Sequence, residues 1–210
     1  IDLLLDGDAG ELSTLQRRFL LTVQRNAERL IDLVTEILDL SRIESGQVQL
    51  HLNPIDVRRV LDDVSSNLSN LFDSKRQEVD LLFPSEPLLV RADRRRFEQV
   101  MTNLLANAGL YTPEGGHIRV TAESSIEAPF VEIMVRDDGP GISPDEQIHI
   151  FEKFYRGGHS LTRQDGGTGL GLAIVKSLVD MHHGKVSVKS EQGQGTTFTV
   201  VLPRLDKESE

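Results

Sequence analysis

The sequence predicts an α+β fold: a two-layer α/β sandwich with a mixed, mostly antiparallel sheet and helices on one face, preceded by one long helix. Two observations lead to this prediction. An apolar pattern with helical spacing runs through residues 11–45, and after it strand-like and helix-like segments alternate to the end of the chain. Because the strand-like segments come in pairs joined by short turns, most neighbouring strands are expected to run antiparallel.

Composition places the chain among globular proteins and excludes several classes. It has 210 residues, 38% hydrophobic and 27% charged, enough for two small domains or for one domain with an appendage. The formal net charge of −10 argues against a nucleic-acid partner, because binding to phosphates requires an excess of Lys and Arg. No apolar run approaches the roughly 20 residues that span a bilayer. No signal peptide opens the chain, and the absence of cysteine fits a reducing cytosol.

The first long segment, residues 11–45, has the pattern of a helix in a bundle. Ser13 and Gln16 have the spacing of a capping box, in which each side chain bonds a free amide at the helix start. Apolar residues recur at alternating spacings of four and three, and a second apolar stripe runs beside them. A face this wide indicates several packed helices rather than a two-stranded coil, the alternative being a helix that lies on its own domain. Gly46 is expected to end the helix.

The remaining elements follow from changes in hydrophobic period and from turn residues. Predicted helices cover 55–74, 93–110, 144–151 and 169–182. Predicted strands cover 47–51, 78–83, 87–91, 117–123, 130–136, 185–190 and 196–202, with 78–83 and 87–91 forming a short hairpin. A polar loop containing glycine is expected over 156–167.

The stretch GGTGLGLAIV, residues 166–175, places four glycines just ahead of an apolar run. A Walker loop would need lysine where Leu172 stands, and a dinucleotide fingerprint would need a further glycine and a buried strand ahead of the loop. What remains is a glycine-rich loop leading into a helix N-terminus, where free amides and the helix dipole favour anions. On these residues alone, a surface loop with a glycine hinge is an equally good interpretation.

Three other stretches contain residues suited to a nucleotide. NLLANA places Asn103 and Asn107 one turn apart on a helix, where two amides among leucines indicate a shared polar role such as metal or phosphate coordination. VRDDGPGIS ends a strand at Asp137 and continues into a glycine turn, so the carboxylate could accept a hydrogen bond from a flat ligand; the alternative is an ordinary acidic turn. GQGTTF is a glycine turn that leads into a strand containing Thr196 and Thr197.

Taken together and in this order, these motifs resemble the nucleotide-binding domain shared by histidine kinases, type II topoisomerases, the heat-shock chaperone of the ninety-kilodalton class and the mismatch-repair MutL proteins. NLLANA, DDGPGIS, FEKFYRG, GGTGLGL and GQGTTF are similar to the histidine-kinase version. LDLSRIESG, residues 38–46, is similar to the second helix of a histidine kinase's dimerisation and phosphotransfer hairpin. The resemblance implies part of that hairpin at 1–46, an ATP-binding catalytic domain at 47–205 and a C-terminal tail at 206–210.

The resemblance also implies a role for each residue of a site for ATP and Mg²⁺. Asp137 would accept from the exocyclic amine of adenine, and Thr197 would bond the same edge directly or through water. Asn107 would coordinate Mg²⁺ through its amide oxygen, and Asn103 would bind the phosphates or a metal-bound water. The other residues expected to contact the nucleotide are Tyr111, Gly139, Gly141, Ile142, Lys153, Tyr155, Arg156, Gly167, Thr168, Gly169, Leu170, Gly171 and Leu172. The loop 156–167 would be a lid, with Arg156 and Lys153 supplying positive charge.

Two positions bear on the reaction that the resemblance implies. Clamp-type ATPases of this superfamily have a water-activating glutamate four residues before the metal-binding asparagine. Asn103 stands there, which favours transfer to an outside acceptor over hydrolysis. The family usually has a cation three residues after that asparagine, where this sequence has Leu110. Either the missing charge weakens ATP binding or Arg156 or Arg163 compensates, and a modest affinity is expected.

The family's phosphoacceptor is a histidine followed by an acidic residue, and the sequence contains no such pair. Its six histidines are His51, His117, His149, His159, His182 and His183. Residues 1–7 are similar to the tail of the first hairpin helix, so the acceptor is expected upstream of residue 1, and the chain alone is not expected to phosphorylate itself. The resemblance further implies a homodimer formed through the helix at 11–45, a response-regulator receiver domain as partner and a cytoplasmic location for this part of the sensor. The alternatives are an ATPase or serine kinase of the same superfamily, and a non-catalytic nucleotide-binding or dimerisation module.

Overall fold

A computed structural model describes residues 1–7, 10–125, 129–157 and 167–205 of the chain. These residues divide into two compact units, Ile1–Arg42 and Ile43–Glu210. The division falls close to the boundary expected after residue 46, and each unit is described by itself.

The first unit is helical. Helix α1 covers Asp2–Leu5, and α2 covers Thr14–Glu44, which confirms the long helix expected at 11–45. The predicted capping box is present: the Ser13 amide donates to Gln16 Oε1 at 2.8 Å, and the Gln16 amide donates to Ser13 Oγ at 3.3 Å. Because these bonds satisfy two amides that the helix cannot, they define where α2 begins.

Helix α2 carries a wide apolar face that is open to solvent in this chain. Its exposed large apolar side chains are Leu15, Phe19, Leu21, Val23, Leu30, Ile31, Val34, Ile37 and Leu38. Several of them belong to the predicted heptad seam. A contiguous apolar surface of this kind marks a contact region for further helices.

The second unit contains the remaining elements of the fold. Its helices are α3 (Val57–Asn67), α4 (Ser69–Ser74), α5 (Arg94–Tyr111), α6 (Pro144–His149) and α7 (Gly171–Met181). Its strands are β1 (Asn53–Asp56), β2 (Glu78–Leu82), β3 (Leu89–Ala92), β4 (His117–Ser124), β5 (Phe130–Asp137), β6 (Lys185–Glu191) and β7 (Gly195–Pro203).

A five-stranded sheet with the order β2-β4-β5-β7-β6 is the centre of this unit. The pair β2–β4 is parallel and the other three pairs are antiparallel, so the prediction of a mixed, mostly antiparallel sheet is confirmed. Alternate residues of β5 and β7 are buried, as expected for strands with one face against helices. The apolar sides of α3, α5 and α7 provide the other half of the core.

Three sequence predictions in this unit are wrong. Residues 47–51 form no strand; the strand lies at Asn53–Asp56, where Ile55 is buried and pairs with Val90 of β3. The helix predicted at 55–74 is two helices that meet at Leu68, because serine and asparagine on both sides of this residue have low helix propensity. Strands β2 and β3 form no hairpin.

The missing hairpin has a physical reason in the connection between its strands. Residues 83–88 include Pro84 and Pro87, which have no amide to donate to a ladder. Strand β2 pairs with β4 instead, and β3 pairs with β1 in a separate two-stranded sheet.

Helices α5 and α7, which carry the two predicted asparagines and the end of the glycine stretch, are joined by a buried histidine. His182 follows α7, and its Nε2 accepts from the amide of Asp93, the N-cap of α5, at 3.0 Å. Its Nδ1 lies 2.7 Å from the carbonyl oxygen of Leu178. Nδ1 must donate in that contact, so both ring nitrogens are satisfied only when the imidazole is neutral.

We expect replacement of His182 by alanine to destabilise the chain most at high pH. The variant leaves the Asp93 amide without an acceptor, which costs about 1–3 kcal/mol of unfolding free energy at pH 8. Burial lowers the pKa of His182, so below about pH 6.5 the unfolded chain takes up a proton that the folded chain does not, and wild-type stability falls. The difference between wild type and variant, measured by urea unfolding, therefore narrows as the pH falls through this range.

The exposed neighbour His183 provides the control for this measurement. His183 has a φ of 56°, which asparagine tolerates, so His183→Asn keeps both hydrogen bonds of His182 and the fall in stability at low pH that burial of His182 causes. A stability difference for His182→Ala that is the same at pH 5 and pH 8 would contradict the neutral, bonded imidazole.

Candidate functional site

Asp137, at the end of β5, has the largest shift in pKa among the described residues of the second unit. Asp137 is 4% exposed, and the amide of Gly139 donates to its Oδ1 at 2.8 Å. Burial raises the pKa of Asp137 to about 6, against the opposing effect of hydrogen bonds from the backbone of Gly139 and Thr196. A buried carboxylate with so few donors can still accept a hydrogen bond from a ligand.

The turn after β5 brings three predicted site residues together. A Cβ on Gly139 would lie 2.6 Å from Asp137 Oδ1 and 3.2 Å from the carbonyl oxygen of Tyr111, so this position has no space for a side chain. The Tyr111 side chain is 52% exposed, and Ile142 is half-buried. Asp137, Gly139 and the end of α5 thus share one location.

The same turn is bonded to the connection between β6 and β7. Gly141 has a φ of +71°, and a Cβ there would lie 2.0 Å from the carbonyl oxygen of Glu191. The amide of Gly193 donates to the carbonyl of Pro140 at 2.7 Å. Gly141 is needed both for its backbone conformation and for this close approach.

The strand register favours Thr196 over the predicted Thr197 as the threonine beside Asp137. Thr196 lies opposite Asp137 and is 5% exposed, whereas Thr197 lies opposite Arg136. Because successive side chains of a strand point to opposite faces, Thr196 shares the buried face with Asp137 and Thr197 points to the outer face. Both residues are threonine, so only the register of β7 against β5 distinguishes them.

The two asparagines lie on the side of α5 that faces the start of α7. Asn103 Nδ2 is 3.4 Å from the carbonyl oxygen of Gly171, the first residue of α7. Asn107 is one turn further along α5, and both side chains are half-buried. The structure therefore brings the asparagine helix and the helix that follows the glycine stretch together.

The glycine stretch leads into the free amides of α7, as the sequence predicts. Leu170 is fully buried, and its amide donates to Thr168 Oγ1 at 3.2 Å. Gly171 and Leu172, in the first turn, are half-buried. An 11-residue helix that begins at a glycine loop presents unpaired amides and the positive end of its dipole to an anion.

Gly169 has a structural role that the sequence did not predict. It was predicted to allow a triphosphate close to the backbone, but a Cβ there would lie 2.9 Å from the Phe154 carbonyl carbon and the Tyr155 carbonyl oxygen. The Phe154 amide also donates to the Gly169 carbonyl at 2.9 Å. The missing side chain of Gly169 thus allows the FEKFYRG segment to approach, whereas a Cβ on Gly167 would meet no atom of the described residues within 4 Å.

The predicted cations of the FEKFYRG segment differ in their surroundings. Lys153 Nζ forms an ion pair with the Glu44 carboxylate at 2.6 Å, so its charge is already paired. Arg156 is exposed, and the Tyr155 ring lies 5.7 Å from the His149 ring. Of the predicted lid at 156–167, residues 158–166, which include Arg163, lie outside the described residues.

Sequence reasoning missed a cation beside Leu110. Lys75 Nζ donates to the carbonyl oxygens of Gly109, Leu110 and Thr112 at 2.8, 2.5 and 3.4 Å. These carbonyls end α5, where a positive charge is favourable. All three protons of the Lys75 ammonium have acceptors here, so this lysine stabilises the helix end and does not replace the family's missing cation.

Two family matches cover most of the chain. Residues 92–206 match the family described as "Histidine kinase-, DNA gyrase B-, and HSP90-like ATPase", and residues 1–46 match the "His Kinase A (phospho-acceptor) domain". No helix in the part of the chain that the structure describes is long and apolar enough to cross a membrane.

Curated proteins that are similar to this chain over most of its length include two bacterial histidine kinases. The chain is 34% identical over 204 residues to the sensor histidine kinase WalK of Bacillus subtilis, and this alignment covers 96% of the chain and 33% of WalK. It is 36% identical over 189 residues to the sensor-like histidine kinase SenX3 of Mycobacterium tuberculosis, covering 90% of the chain and 45% of SenX3. The chain thus spans less than half the length of both relatives.

Solved structures agree with these similarities. Full-length ShkA in complex with AMPPNP superimposes with a TM-score of 0.79 at 31% identity, over 94% of this chain and 41% of ShkA. The mycobacterial sensor histidine kinase MprB gives a TM-score of 0.61 at 31% identity, over 73% of this chain and 97% of MprB.

The fold and the site define a domain of the histidine kinase-, gyrase- and HSP90-like ATPase class. Together with the phospho-acceptor family match at its N-terminal side, this places the chain in the family of sensor histidine kinases. The family resemblance of its motifs is thereby confirmed.

Replacement of Gly141 by alanine tests the close packing of the turn against β6. Gly193 is the control, because it has a similar φ of +78° but open space where a Cβ would lie. We expect Gly193→Ala to cost about 1 kcal/mol of unfolding free energy through backbone strain alone. Gly141→Ala has the same backbone strain and also meets the Glu191 carbonyl, which adds about 1–3 kcal/mol. Equal urea midpoints for the two variants would contradict the contact.

Proposed function

We propose that this chain binds ATP together with Mg²⁺ and transfers the γ-phosphoryl group to a histidine on a helical hairpin, as the catalytic part of a two-component sensor kinase. The observation that carries this proposal is the arrangement around α5: Asp137 and Gly139 at its end, and Asn103 beside the first residue of α7. A buried hydrogen-bond acceptor, two asparagine side chains and a helix N-terminus are the groups needed to bind an adenine ring, a metal ion and phosphates, respectively.

The base would lie against the turn after β5. Asp137 would accept a hydrogen bond from the exocyclic amine of adenine, and Gly139 would leave space for the ring. Thr196 is the better candidate for the second contact, because it shares the buried face with Asp137. Ile142 and the exposed Tyr111 ring would cover the base and ribose.

The phosphates and the metal would lie between α5 and α7. Among residues 1–7, 10–125, 129–157 and 167–205, no three His, Cys, Asp or Glu side chains are grouped to hold a metal ion. The Asn107 amide oxygen is a hard ligand of the kind that Mg²⁺ prefers, and phosphate oxygens and waters would supply most of the other ligands. When bound, the ion would neutralise charge on the phosphates, and the first amides of α7 would bind their oxygens.

The acceptor would be an imidazole nitrogen of another hairpin helix, since residues 1–46 contain no histidine. In the transfer, a bond forms between that nitrogen and the γ-phosphorus while the bond to the β–γ bridging oxygen breaks and ADP leaves. The open apolar face of α2 supports a homodimer formed through helices. A receiver domain would take the phosphoryl group on an aspartate, and all of this would occur in the cytoplasm.

Binding of ATP should depend on the ionised Asp137 carboxylate. We expect Asp137→Asn to raise the Kd for ATP by about 10- to 100-fold, because hydrogen bonds to charged groups contribute about 1.5–3 kcal/mol. Wild-type affinity should also fall as the pH drops below about 6, where the Asp137 carboxyl takes up a proton. Titration calorimetry at several pH values measures both effects.

The phosphate groups of ATP titrate in the same way whether wild type or Asp137→Asn is used. The ratio of the two Kd values at each pH therefore reports only the effect of the Asp137 carboxyl. Asp138→Asn is the matched control at pH 7.5, where Asp137 is ionised in either protein: the half-exposed Asp138 side chain faces His117, so the Kd for ATP should stay unchanged. Wild-type affinity that is unchanged between pH 5 and pH 7.5, relative to Asp137→Asn, would contradict the role of this carboxylate.

Transfer is tested by mixing the chain with Mg-ATP and a separate hairpin that carries the family's histidine. We expect acid-labile phosphate on the hairpin and none on this chain. Asn107→Ala should reduce the transfer rate by at least about 100-fold, as expected for loss of positioning of the metal and phosphates. Asn70→Ala, at an exposed position of α4, should have no effect.

The outcomes separate the alternatives named for the sequence. Hydrolysis of ATP without phosphohistidine would favour an ATPase, and nucleotide binding without any transfer would favour a non-catalytic module. No binding at millimolar ATP would exclude the proposed function altogether.

A further inference from the structure

Strand β2 is one edge of the five-stranded sheet, and part of its backbone has no partner. The strand order leaves one side of β2 without a neighbouring strand. The Glu78 amide donates to the Gly116 carbonyl at 3.0 Å, on the side of β4. In a parallel pair every second residue turns both of its backbone groups to the neighbour, so alternate residues from Glu78 onward face β4. Val79 and Leu81 therefore direct their amides and carbonyls to the free edge, and neither has a hydrogen bond to any residue that the structure describes.

The free edge of β2 forms one side of a groove of about 520 Å³, which we call the β2 groove. Val79 and Leu81 line it on the strand side, and Asp62, Asp73 and three serines of α3 and α4 line it on the helix side. Clefts that bind ligands commonly have volumes of about 300–1,000 Å³. The β2 groove thus has the size of a binding cleft, with unpaired backbone groups on one side and polar side chains on the other.

Gln77, just before β2, is a buried residue that also lines the β2 groove. Its Nε2 lies 3.0, 2.7 and 3.4 Å from the carbonyl oxygens of Gly109, Thr112 and Pro113, so the nitrogen and the oxygen of this amide cannot be exchanged. Its Oε1 has no hydrogen-bond partner in the part of the chain that the structure describes. Buried acceptors are seldom left unpaired, which indicates that a donor from outside the chain, a water or a bound segment, is used here.

Negative charge surrounds the position that a further strand would take. Asp62 and Asp73 are the charged residues that line the β2 groove. On the other face of β2, Glu78 and Asp80 are exposed, and each lies beside a basic residue of β4. Because the side chains of an added strand alternate between the two faces, one set would lie opposite Glu78 and Asp80 and the other set near Asp62 and Asp73. The occupant that fits this edge is an extended segment with Lys or Arg side chains.

A second copy of this chain fits the β2 groove poorly. Two β2 edges that paired with each other would bring the same carboxylates of both copies together, and each copy has a formal net charge of −10. Like charges that lie directly opposite in neighbouring strands are unfavourable, and charged residues on an edge strand protect against pairing with the same strand of another copy. The charges therefore favour a basic partner over self-association.

We propose that the free edge of β2 and the β2 groove form a docking site for an extended, basic peptide segment of another protein, which adds to the sheet as a further strand beside β2. Hydrogen bonds to the backbone of Val79 and Leu81 supply affinity, and the surrounding carboxylates select Lys or Arg side chains. This surface contains none of the residues of the proposed nucleotide site, so the inference stands independently of the proposed function.

Amide hydrogen exchange with two matched peptides tests the strand pairing itself. The probe is a short peptide of alternating lysine and valine, and the control peptide has glutamate in place of lysine. We expect a saturating amount of the basic peptide to slow exchange of the Val79 and Leu81 amides by at least about 10-fold, and the acidic peptide to leave it unchanged. The Asp80 amide faces β4 and should exchange slowly with or without peptide.

Val79→Pro separates strand pairing from attraction between charges. Proline removes the free amide without removing a hydrogen bond between β2 and β4, and edge strands tolerate proline on this side. We expect the Kd for the basic peptide, measured by fluorescence anisotropy, to rise by at least about 10-fold, because one hydrogen bond is lost and the ring occupies space at the edge. Val79→Ala keeps the amide and should leave the Kd within about 2-fold of wild type.

Asp73→Asn tests the contribution of charge. We expect it to raise the Kd for the basic peptide by about 2- to 5-fold, as for the loss of one exposed ion pair. Asp145→Asn is the matched control, because it changes the net charge equally but lies on α6, which is bonded to β6 at the opposite edge of the sheet. Its Kd should equal that of wild type.

Several results would overturn the inference. They are equal affinity for the two peptides, no binding of the basic peptide, and binding of it without slower exchange at Val79 and Leu81. Self-association that Val79→Pro abolishes would assign the edge to a second copy and overturn it as well. The exchange measurement uses wild type, so it decides the question even where Val79→Pro does not fold. Binding of ATP by wild type is measured separately, so failure of the inference and failure of the proposed function are distinguishable.

Discussion

Burial of the Asp137 carboxylate is the constraint on which the rest of the site depends. A carboxylate withdrawn from water is costly unless donors surround it. Burial raises the pKa of Asp137 to about 6, and the backbone amides of Gly139 and Thr196 offset only part of that rise. The turn at Gly139, without room for a side chain, and the pairing of β5 with β7 hold the group in place. Under the proposed function, the N–H group of a ligand would supply a hydrogen bond that the buried carboxylate has lost from water, and the position would serve for recognition.

Two hydrogen bonds, one near each end of α7, connect α5 and α7. The His182 contact joins the start of α5 to the end of α7, and the Asn103 contact joins the middle of α5 to the start of α7. At 1.5 Å per residue, Arg94 to Asn103 and Gly171 to Met181 span about 14 and 15 Å, so the helices run side by side in opposite directions. The His182 contact, at the far end of both helices, thus helps to hold the asparagine side chains beside the start of α7.

The sequence predicted the secondary-structure elements and the region of the candidate site better than it predicted which of two neighbouring residues faces that region. Helical period and capping located α2 and α5, and the motif order located Asp137 and the asparagines. The choice between Thr196 and Thr197 required a strand register, which depends on contacts distant in the chain. The same holds for Gly169, whose missing side chain leaves space for the backbone of Phe154, a contact that no local pattern predicts.

The chemistry available to Asn103 bears on whether the site hydrolyses or transfers. A general base must accept a proton in the transition state, and a carboxamide has no protonation equilibrium near neutral pH with which to do so. One donor of the Asn103 amide is directed at the Gly171 carbonyl, so under the proposed function the group would act as a fixed dipole beside the phosphates. Water in this site would be oriented but not activated. Under the proposed function, a nucleophile that is strong without a base, such as a neutral imidazole, would therefore react where water does not, and the open apolar face of α2 is the surface through which a further helix could supply it.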